Sequence, residues 1–377
     1  MAAGGDDAIG GDSVIGKRQM STSTKNNTIA YALVIFGYAA MQAMGAGPGL
    51  NATVRGQLVP ICAYVVMALS LNLTVGIMGD LSLGHAGFMS VGAFSGAIAC
   101  IGLEKIIDAG FLRLSVSMLI GALCAGLAGL LVGIPVLRLR GDYLAIVTLA
   151  FGEIIKNIIT CIYVGVDDGG LHFGFLSSIA ALGMGDGART IVEGPMGIRG
   201  ITKVSTFTMG FFLILITLFI IQNLVNSRAG RAIMALRDNR IAAESIGIPV
   251  TKYKLMAFVT SAAMAGAAGT LYVMNFSTMV ASKFNFNTSI LILVFVVLGG
   301  LRNMWGSVVA ASLLTVLPEL LRQFNDFRML IYAIVLILVM LATNNSSIRT
   351  VFTGVGAKIR AAASMRAGGK GGAAGGG

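Results

Sequence analysis

Charged side chains are scarce in this sequence. Only 11% of its 377 residues are Asp, Glu, Lys or Arg, whereas 56% are hydrophobic and the mean hydropathy is +0.86. A soluble globular domain carries about 25% charged residues. The composition therefore excludes an ordinary soluble domain and favours a protein that lies mostly within a lipid bilayer.

Residues and motifs that carry out chemistry are also scarce. All four cysteines fall in apolar runs, which is typical of small buried side chains and not of a disulfide framework or a metal cluster. No partner His or Cys lies at ligand spacing from His85. The sequence has no Gly-x₄-Gly-Lys-Ser/Thr loop for ATP and no Ser/His/Asp pattern of a hydrolase. We therefore expect no enzyme activity and no cofactor or metal bound by this chain.

Long apolar runs dominate what is present. A bilayer core about 30 Å thick needs roughly 20 helical residues, so the sequence predicts an all-α polytopic membrane protein with about ten transmembrane helices. The polar residues 1–28 before them predict no cleaved signal peptide, and the Gly/Ala-rich residues 344–377 predict a disordered tail. The membrane domain is thus 29–343, with apolar segments at 29–47, 58–78, 86–103, 114–137, 143–163, 207–226, 255–276, 286–301, 305–321 and 328–343.

Basic residues predict the orientation. If the N-terminus lies in the cytoplasm, most Lys and Arg fall in inside loops and tails, chiefly in the loops 138–142 and 227–254. The sequence therefore predicts N-in and C-in topology, with 164–206 as an extracytoplasmic loop and 227–254 as a cytoplasmic loop. On this interpretation the net charge of +11 reflects orientation in the membrane and does not indicate nucleic-acid binding.

Two similar stretches suggest an internal repeat. AGLAG at 125–129 and AGAAG at 265–269 lie in predicted helices of opposite direction. Inverted repeats are a common plan of transporters, with the substrate route at their interface. The alternative is that both stretches are ordinary small-residue packing surfaces between helices.

A polar, glycine-rich stretch, GDLSLGHAGFMSVGAF, interrupts the apolar runs at 79–94. Non-helical backbone at membrane depth is tolerated only where protein or a water-filled cavity surrounds it, and Asp80, Ser82 and His85 would be costly in lipid. The stretch predicts a broken helix that lines a translocation pathway. The alternative is a cytoplasmic turn with an N-capping serine.

Glu153 and Lys156 are the ionisable residues nearest the middle of a predicted span. They are three residues apart and therefore share one helix face. Ionisable residues inside a membrane usually face the protein interior and are functional. A structural pair that neutralises itself is the alternative to a translocation role.

The stretch NSRAGRAIMALRDNRIAAESIGIPVTKYK, Asn226 to Lys254, is too polar to span the membrane. Its pattern predicts one amphipathic helix from Arg231 to Ile246, ended by Pro249. Such a helix can lie on the membrane or dock into a partner's groove. The residues that favour docking are Ala242, Ala243, Glu244 and Gly247.

Six motifs, all within residues 55 to 343, resemble M-type permease subunits of bacterial branched-chain amino-acid ABC importers (the LivM-like family). They are LSLNLTVGIMGDLSLGHAGF, RLRGDYLAIVTLAFGEIIK, GPMGIRG, SRAGRAIMALRDNRIAAESIGI, YKLMAFVTSAAMAGAAGTLY and SILILVFVVLGGL. The resemblance implies a multi-pass protein of the bacterial plasma (inner) membrane with an ABC importer permease fold. The partners that it implies are an H-type permease, two ATPase subunits that hold ATP and Mg, an extracytoplasmic substrate-binding protein and membrane lipid. It implies no nucleic-acid partner.

The resemblance also implies roles for particular residues. It makes 230–247 the coupling helix that an ATPase groove receives, and its coupling residues are Gly230, Arg231, Arg237, Asp238, Ala242, Ala243, Glu244 and Gly247. The predicted translocation-pathway residues are Asn72, Asp80, Ser82, His85, Thr148, Glu153 and Lys156. The chain departs from the family at Asp80, often glutamine, and at Ser307, often proline.

The predicted function is import of leucine, isoleucine and valine by alternating access driven by separate ATPases. Related permeases serve urea and short-chain amide importers, so those substrates remain an alternative. A secondary transporter or channel that works without ATPases is the alternative from another class, and a membrane scaffold is a further one.

Overall fold

The computed structural model describes residues 30–39, 41–42, 52–104, 106–139, 141–167, 170–175, 189–321 and 327–344. The predicted tails, 1–28 and 344–377, therefore lie outside the described residues except for Asn344, which ends a helix. The chain divides into two compact units, Met1–Val316 and Leu317–Gly377. The first unit holds every residue predicted above to act in coupling or translocation.

Most of the described chain is α-helical. The helices are α1 (Ala30–Ala39), α2 (Ala52–Asn72), α3 (His85–Gly102), α4 (Gly110–Val136), α5 (Asp142–Thr160), α6 (Phe207–Asn226), α7 (Arg228–Asp238), α8 (Arg240–Ser245), α9 (Val250–Val273), α10 (Phe286–Gly299), α11 (Met304–Leu320) and α12 (Arg328–Asn344). A π-helix, Leu73–Met78, continues α2. The predicted α-helical architecture is confirmed for these segments.

Seven of the described helical segments are long and apolar enough to cross a membrane. They are Gly56–Met78, His85–Gly102, Gly110–Val136, Asp142–Thr160, Phe207–Asn226, Val250–Val273 and Ala281–Gly299. Ala30–Ala39 and Met304–Leu320 are apolar but shorter, because neither reaches the 18 residues of the shortest of the seven. The predicted count of ten is therefore not confirmed, although a polytopic membrane protein is.

Small residues bring α3, α4 and α9 together at the centre of the first unit. A Cβ atom added at Gly92 would lie 2.2 Å from the Cα of Gly266, and one added at Gly266 would lie 2.4 Å from the Cβ of Ala125. The Thr270 hydroxyl donates a hydrogen bond to the carbonyl of Gly92, at 2.8 Å. The AGLAG and AGAAG stretches thus contact each other, as the packing interpretation expects, while the inverted repeat stays a prediction.

This contact predicts that Gly92→Ala destabilises the protein. The added methyl group would overlap the backbone of Gly266, and overpacking of this kind costs about 1–3 kcal/mol. The thermal unfolding midpoint of purified protein in detergent should fall accordingly. Gly37→Ala in α1 is the matched control, because nothing lies within 4 Å of its added Cβ. A midpoint unchanged by Gly92→Ala would contradict the close packing.

The described part of the predicted loop 164–206 contains β-strands, which the all-α prediction did not include. Strands β1 (Ile162–Asp167), β2 (Gly170–Phe175), β3 (Arg189–Glu193), β4 (Ile198–Arg199) and β5 (Thr278–Met279) form one antiparallel sheet in the order β2-β1-β3-β4-β5. The β-branched and aromatic side chains of IYVGVD and RTIVE favour strands over helix. The fifth predicted segment, 143–163, accordingly ends as a helix at Thr160.

Two ends of the first unit can be distinguished by their contacts. At the end named here the sheet end, β4 pairs with β5 and the Ile201 amide donates to the carbonyl of Ser277 at 3.1 Å. At the opposite end, the break end, side chains from 227–254 and 300–307 contact the region 72–84. The candidate functional residues are concentrated at the break end.

Candidate functional site

The predicted break spans 79–94, but in the structure it is confined to 79–84, between the π-helix and α3, because 85–94 are helical. Gly79 ends the π-helix with φ of +82°, a left-handed conformation that glycine adopts without steric cost. A Cβ at Gly79 would lie 2.3 Å from the Cγ of Arg237. The residue that caps α3 is Gly84, so the N-capping serine of the alternative is wrong, while the cytoplasmic turn itself stays a prediction.

Polar side chains of the break are buried inside the protein. Ser82 and His85 are each 1% exposed. The Ser70 hydroxyl donates its proton to the carbonyl of Met67 at 2.9 Å, so it accepts the second hydrogen bond, at 2.8 Å, from Nε2–H of His85. The hydroxyl of Ser82 is buried with no hydrogen-bond partner among the described residues. An unsatisfied buried hydroxyl is costly, which makes Ser82 an unusual feature of this packing.

Thr148 ties α5 to the break. Its hydroxyl accepts a hydrogen bond from the Leu83 amide at 3.1 Å and donates one to the carbonyl of Ala145 at 2.8 Å. A Cβ at Gly84 would lie 2.0 Å from the carbonyl oxygen of Thr148, so the two backbones are in close contact. The predicted pathway residue Thr148 is therefore buried between α3 and α5.

Asn72 fixes the turn between α10 and α11. Its buried amide oxygen accepts from the Arg302 amide at 3.0 Å, and its Nδ2 donates to the Ser307 hydroxyl at 2.8 Å. Arg302 has φ of +70°, which is unfavourable for a residue with a side chain. The bond from Asn72 holds this turn in place. Ser307 was noted in the sequence only as a departure from the family, and its pairing with Asn72 was missed.

Asp80 forms an ion pair with Lys254. The Lys254 Nζ lies 2.8 Å and 2.6 Å from the two carboxylate oxygens of Asp80, and the side chains are 10% and 16% exposed. Lys254 lies near the start of α9 and is the last residue of the predicted cytoplasmic loop 227–254. Sequence reasoning used Lys254 only as a basic residue of that loop and did not predict this contact. The pair joins the break to the polar segment between α6 and α9.

Arg237 makes a second connection between the same two regions. Its Nη1 donates to the carbonyl of Gly76 in the π-helix at 3.2 Å, and its Nε donates to Asp238 at 3.0 Å. The hydrogen bond and the charge of Arg237 lower the pKa of the Asp238 carboxyl. Two independent contacts, Arg237 with Gly76 and Lys254 with Asp80, therefore link the polar segment to the broken helix.

The prediction of one helix from Arg231 to Ile246 is wrong, because the segment forms two helices. The Ser227 hydroxyl accepts from the Gly230 amide at 3.1 Å and caps α7. Asn239, in extended conformation, ends α7 and caps α8 by accepting from the Ala242 amide at 3.0 Å. Asn and Ser are favoured caps because their side chains satisfy amides that the first turn leaves free.

The two helices expose different surfaces. On α7, Ile233 and Leu236 are buried, and Leu236 packs with Ala243 and Val250 in one apolar cluster. Beside α8, however, Ile241 and Ile246 are 81% and 76% exposed. We name Ile241 and Ile246 the α8 apolar pair; α7 is the part of this segment that packs on the bundle.

The remaining predicted coupling residues lie within α8, directly after it, or near the start of α7. Glu244 accepts a hydrogen bond from Nε of Arg240 at 2.8 Å, and Gly247 follows α8 with φ of +85°. Ala242 is exposed while Ala243 is buried. Gly230 contacts the end of α6, since a Cβ there would lie 2.2 Å from the carbonyl oxygen of Leu224, and Arg231 is exposed.

Glu153 and Lys156 form the predicted pair on α5. Lys156 donates a hydrogen bond to Glu153, and the side chains are 19% and 36% exposed respectively. They lie in the half of α5 that leads to the sheet end, away from the break. The predicted pathway residues therefore occupy two places in the fold: a buried group around the break, and this partly exposed pair.

Known proteins similar to this chain are transport permeases. A family described as "branched-chain amino acid transport system / permease component" matches residues 55–342. The chain is 36% and 35% identical over 288 residues to the high-affinity branched-chain amino acid transport system permease proteins LivM of Escherichia coli and Salmonella typhimurium, covering 74% of this chain and 66% of each relative. The matched region thus spans slightly less than two thirds of the length of these relatives.

A more distant relative carries a different substrate name. The chain is 26% identical over 270 residues to the fructose import permease protein FruG of Bifidobacterium longum, covering 69% of this chain and 72% of that protein. No solved structure matches this chain. These descriptions are of transport components, and the family match confirms the prediction that the chain is a transport permease component.

Proposed function

Because the chain belongs to the branched-chain amino acid transport permease family, we propose that it is the membrane permease subunit of an ATP-binding cassette importer for leucine, isoleucine and valine. The α8 apolar pair is the observation that best supports an ATPase-coupled mechanism. Two large aliphatic side chains, 81% and 76% exposed, project from a short helix outside the membrane spans. Exposed apolar side chains on a polar segment are typical of a surface that a partner covers.

The contacts behind α8 support a route by which a push on it would reach the membrane domain. Leu236, Ala243 and Val250 pack α7, α8 and the start of α9 into one cluster. Arg237 bonds to Gly76, and Lys254 pairs with Asp80. A displacement of α8 by an ATPase would therefore act on the π-helix before the break and on the break itself. Closing and opening of two ATPase subunits would then switch the bundle between outward- and inward-facing states.

The coupling residues are proposed accordingly. The α8 apolar pair, with Ala242 and Glu244, would contact the ATPase, and Arg237 would transmit the movement. Gly230, Arg231, Asp238, Ala243 and Gly247 would hold the two helices in the geometry that presents α8. This proposal divides the eight predicted residues into contacting and supporting groups.

The pathway residues around the break are proposed to act from within the bundle. Asn72, Ser82, His85 and Thr148 are buried against neighbouring helices. They would hold the moving elements together and re-pair as the bundle changes state. Asp80 would work through Lys254 at the cytoplasmic boundary.

The partners and location follow from the same proposal. The complex would contain an H-type permease, two ATPases that hold ATP and Mg, and an extracytoplasmic binding protein that delivers substrate. The chain would lie in the bacterial inner membrane with both termini inside. In that orientation the break end faces the cytoplasm, where ATP is available, and the sheet end faces the binding protein.

The substrate is proposed from the LivM relatives, since the similarity to a fructose import permease indicates that related sequences serve other cargo. Urea and short-chain amides are therefore the competing substrates. Transport without ATPases is the competing mechanism, which the exposed α8 apolar pair does not favour.

Reconstituted uptake tests this function. Proteoliposomes that contain the full complex and enclosed ATP should accumulate labelled leucine when the binding protein is outside, but should not accumulate labelled urea. Liposomes without ATP, or with this chain alone under an ion gradient, serve as controls and should show no accumulation. Accumulation of urea alone would contradict the substrate, and leucine accumulation by this chain alone would contradict the mechanism.

A further inference from the structure

Helix α5 has one face that packs within the chain. Thr148, Gly152 and Ile159 lie on it, and a Cβ at Gly152 would be 3.0 Å from the Cα of Gly84 at the break. Close approach of this kind requires glycine on both helices. The packing fixes how α5 is rotated about its axis, and therefore which residues it presents on its other side.

One flank of α5, turned away from the packed face, is polar. Glu153, Lys156, Asn157 and Thr160 are spaced i, i+3, i+4 and i+7, which places them on one side of an α-helix. We name these four residues the open face of α5. The Glu153 side chain is 36% exposed and Asn157 is exposed, while Lys156 reaches across to Glu153. Of the seven candidate spans described, α5 is the least buried, at 22%.

A polar face at this position cannot lie against lipid without a large cost. Ionisable side chains within a span face the protein interior or a water-filled cavity, because hydrocarbon does not solvate them. Within the described chain the open face is only partly covered, since the Lys156 side chain is 19% exposed and that of Glu153 is 36% exposed. Ile154 and Ile158, exposed at 49% and 46%, lie on a different side of the helix. The open face therefore offers one positive and one negative group within one turn of helix, and water or another chain must cover the part that stays exposed.

We propose that the open face of α5 lines the translocation route and receives the charged groups of a zwitterionic aliphatic amino acid. This inference rests on the proposed function and specifies the site of contact. The Lys156 ammonium would bind the substrate carboxylate, and the Glu153 carboxylate would bind the substrate ammonium. Urea and sugars carry neither charge and would leave this pair unused.

The pair suits a site from which the substrate must leave. When the route is empty, Glu153 and Lys156 neutralise each other through their own hydrogen bond. When the substrate arrives, each residue exchanges its partner for the opposite charge on the amino acid. The site is neutral before and after, so no net charge is buried by binding, and the internal pair competes with substrate and keeps binding weak.

A charge swap separates this role from a structural one. The double variant Glu153→Lys/Lys156→Glu keeps an ion pair between the same positions but reverses the polarity offered to the substrate. We expect the complex to assemble with an unchanged unfolding midpoint. ATP-driven leucine uptake should fall at least tenfold, because a hydrogen bond to a charged group contributes at least the roughly 1.4 kcal/mol that a tenfold change represents. A purely structural pair would tolerate the swap, so wild-type uptake by the double variant would overturn the proposal.

Water access gives a second test that does not depend on the charged residues. Asn157→Cys in the assembled complex should react with a membrane-impermeant thiol reagent, and saturating leucine should slow the reaction at least tenfold. Leu127→Cys, on the exposed apolar side of α4, is the control for a lipid-facing position and should not react. Peptide mass spectrometry would distinguish the label from that on the native cysteines.

The outcomes distinguish this inference from the proposed function. If wild-type complex takes up leucine with ATP but Asn157→Cys is unreactive, a helix of another subunit covers the open face and the inference is wrong while the function stands. The inference is likewise wrong, and the function stands, if saturating leucine does not slow the labelling of Asn157→Cys. Failure of the wild-type complex to import leucine would instead contradict the function itself.

Discussion

Replacing the α8 apolar pair by glutamate, Ile241→Glu/Ile246→Glu, is expected to reduce ATP-driven leucine uptake more than 100-fold. Each isoleucine that becomes fully buried on docking contributes about 1.5–3 kcal/mol, and a carboxylate at the same place must also be desolvated. A loss above about 3 kcal/mol corresponds to more than two orders of magnitude in affinity for the ATPase. Uptake and the amount of ATPase that co-purifies with the chain should therefore fall together.

The fold itself should not suffer from this change. Both side chains are more than three quarters exposed, so the unfolding midpoint of the chain in detergent should be unaltered. Ile241→Leu/Ile246→Leu is the matched control and should retain the ATPase, because it preserves the apolar surface. If the glutamate variant binds the ATPase and transports normally, α8 is not the docking surface.

Reversing one charge of the Asp80–Lys254 pair is expected to have the second largest effect. Lys254→Asp would place two carboxylates where an ion pair now links the broken helix to α9. Removing a partner from a fully buried pair costs about 3–5 kcal/mol. Both side chains keep some exposure, so we expect about 1.4–2.8 kcal/mol here, or a 10- to 100-fold loss of transport per ATP hydrolysed.

The double reversal Asp80→Lys/Lys254→Asp is the decisive comparison. It restores opposite charges at the same positions and should recover at least tenfold of the lost transport per ATP. The rate of ATP hydrolysis and the rate of uptake must be measured on the same proteoliposomes, because a transmission defect lowers their ratio while a folding defect lowers both. Equal ratios in the single and double variants would show that the pair does not transmit movement.

Features set by local chemistry could be predicted from the sequence. Scarce charge and long apolar runs predicted membrane helices, and the glycines near 79–84 predicted where the first broken helix would lie. The spacing of Glu153 and Lys156 predicted that they meet. In each case the controlling interactions lie within a few residues of one another, so that helical geometry alone determines the outcome.

Features that depend on long-range packing could not be predicted in this way. Lys254 meets Asp80 across 174 residues, and Asn72 meets Ser307 across 235, with no local pattern that pairs them. The helix boundary at Asn239 could not be predicted from the periodicity of 231–246, because a single extended residue scarcely disturbs an amphipathic pattern. The pairing of β5, at 278–279, with β4 could not be predicted, because the two strands are far apart in the sequence.

The central claim is that α8 is the surface on which a separate ATPase acts, and photo-crosslinking tests it most directly. A benzophenone amino acid placed at Ile241 in the assembled complex should form a covalent adduct with the ATPase subunit on illumination. The same probe at Leu127, on the exposed side of α4, should form none. An adduct from position 241 to the extracytoplasmic binding protein, or to lipid alone, would contradict the claim.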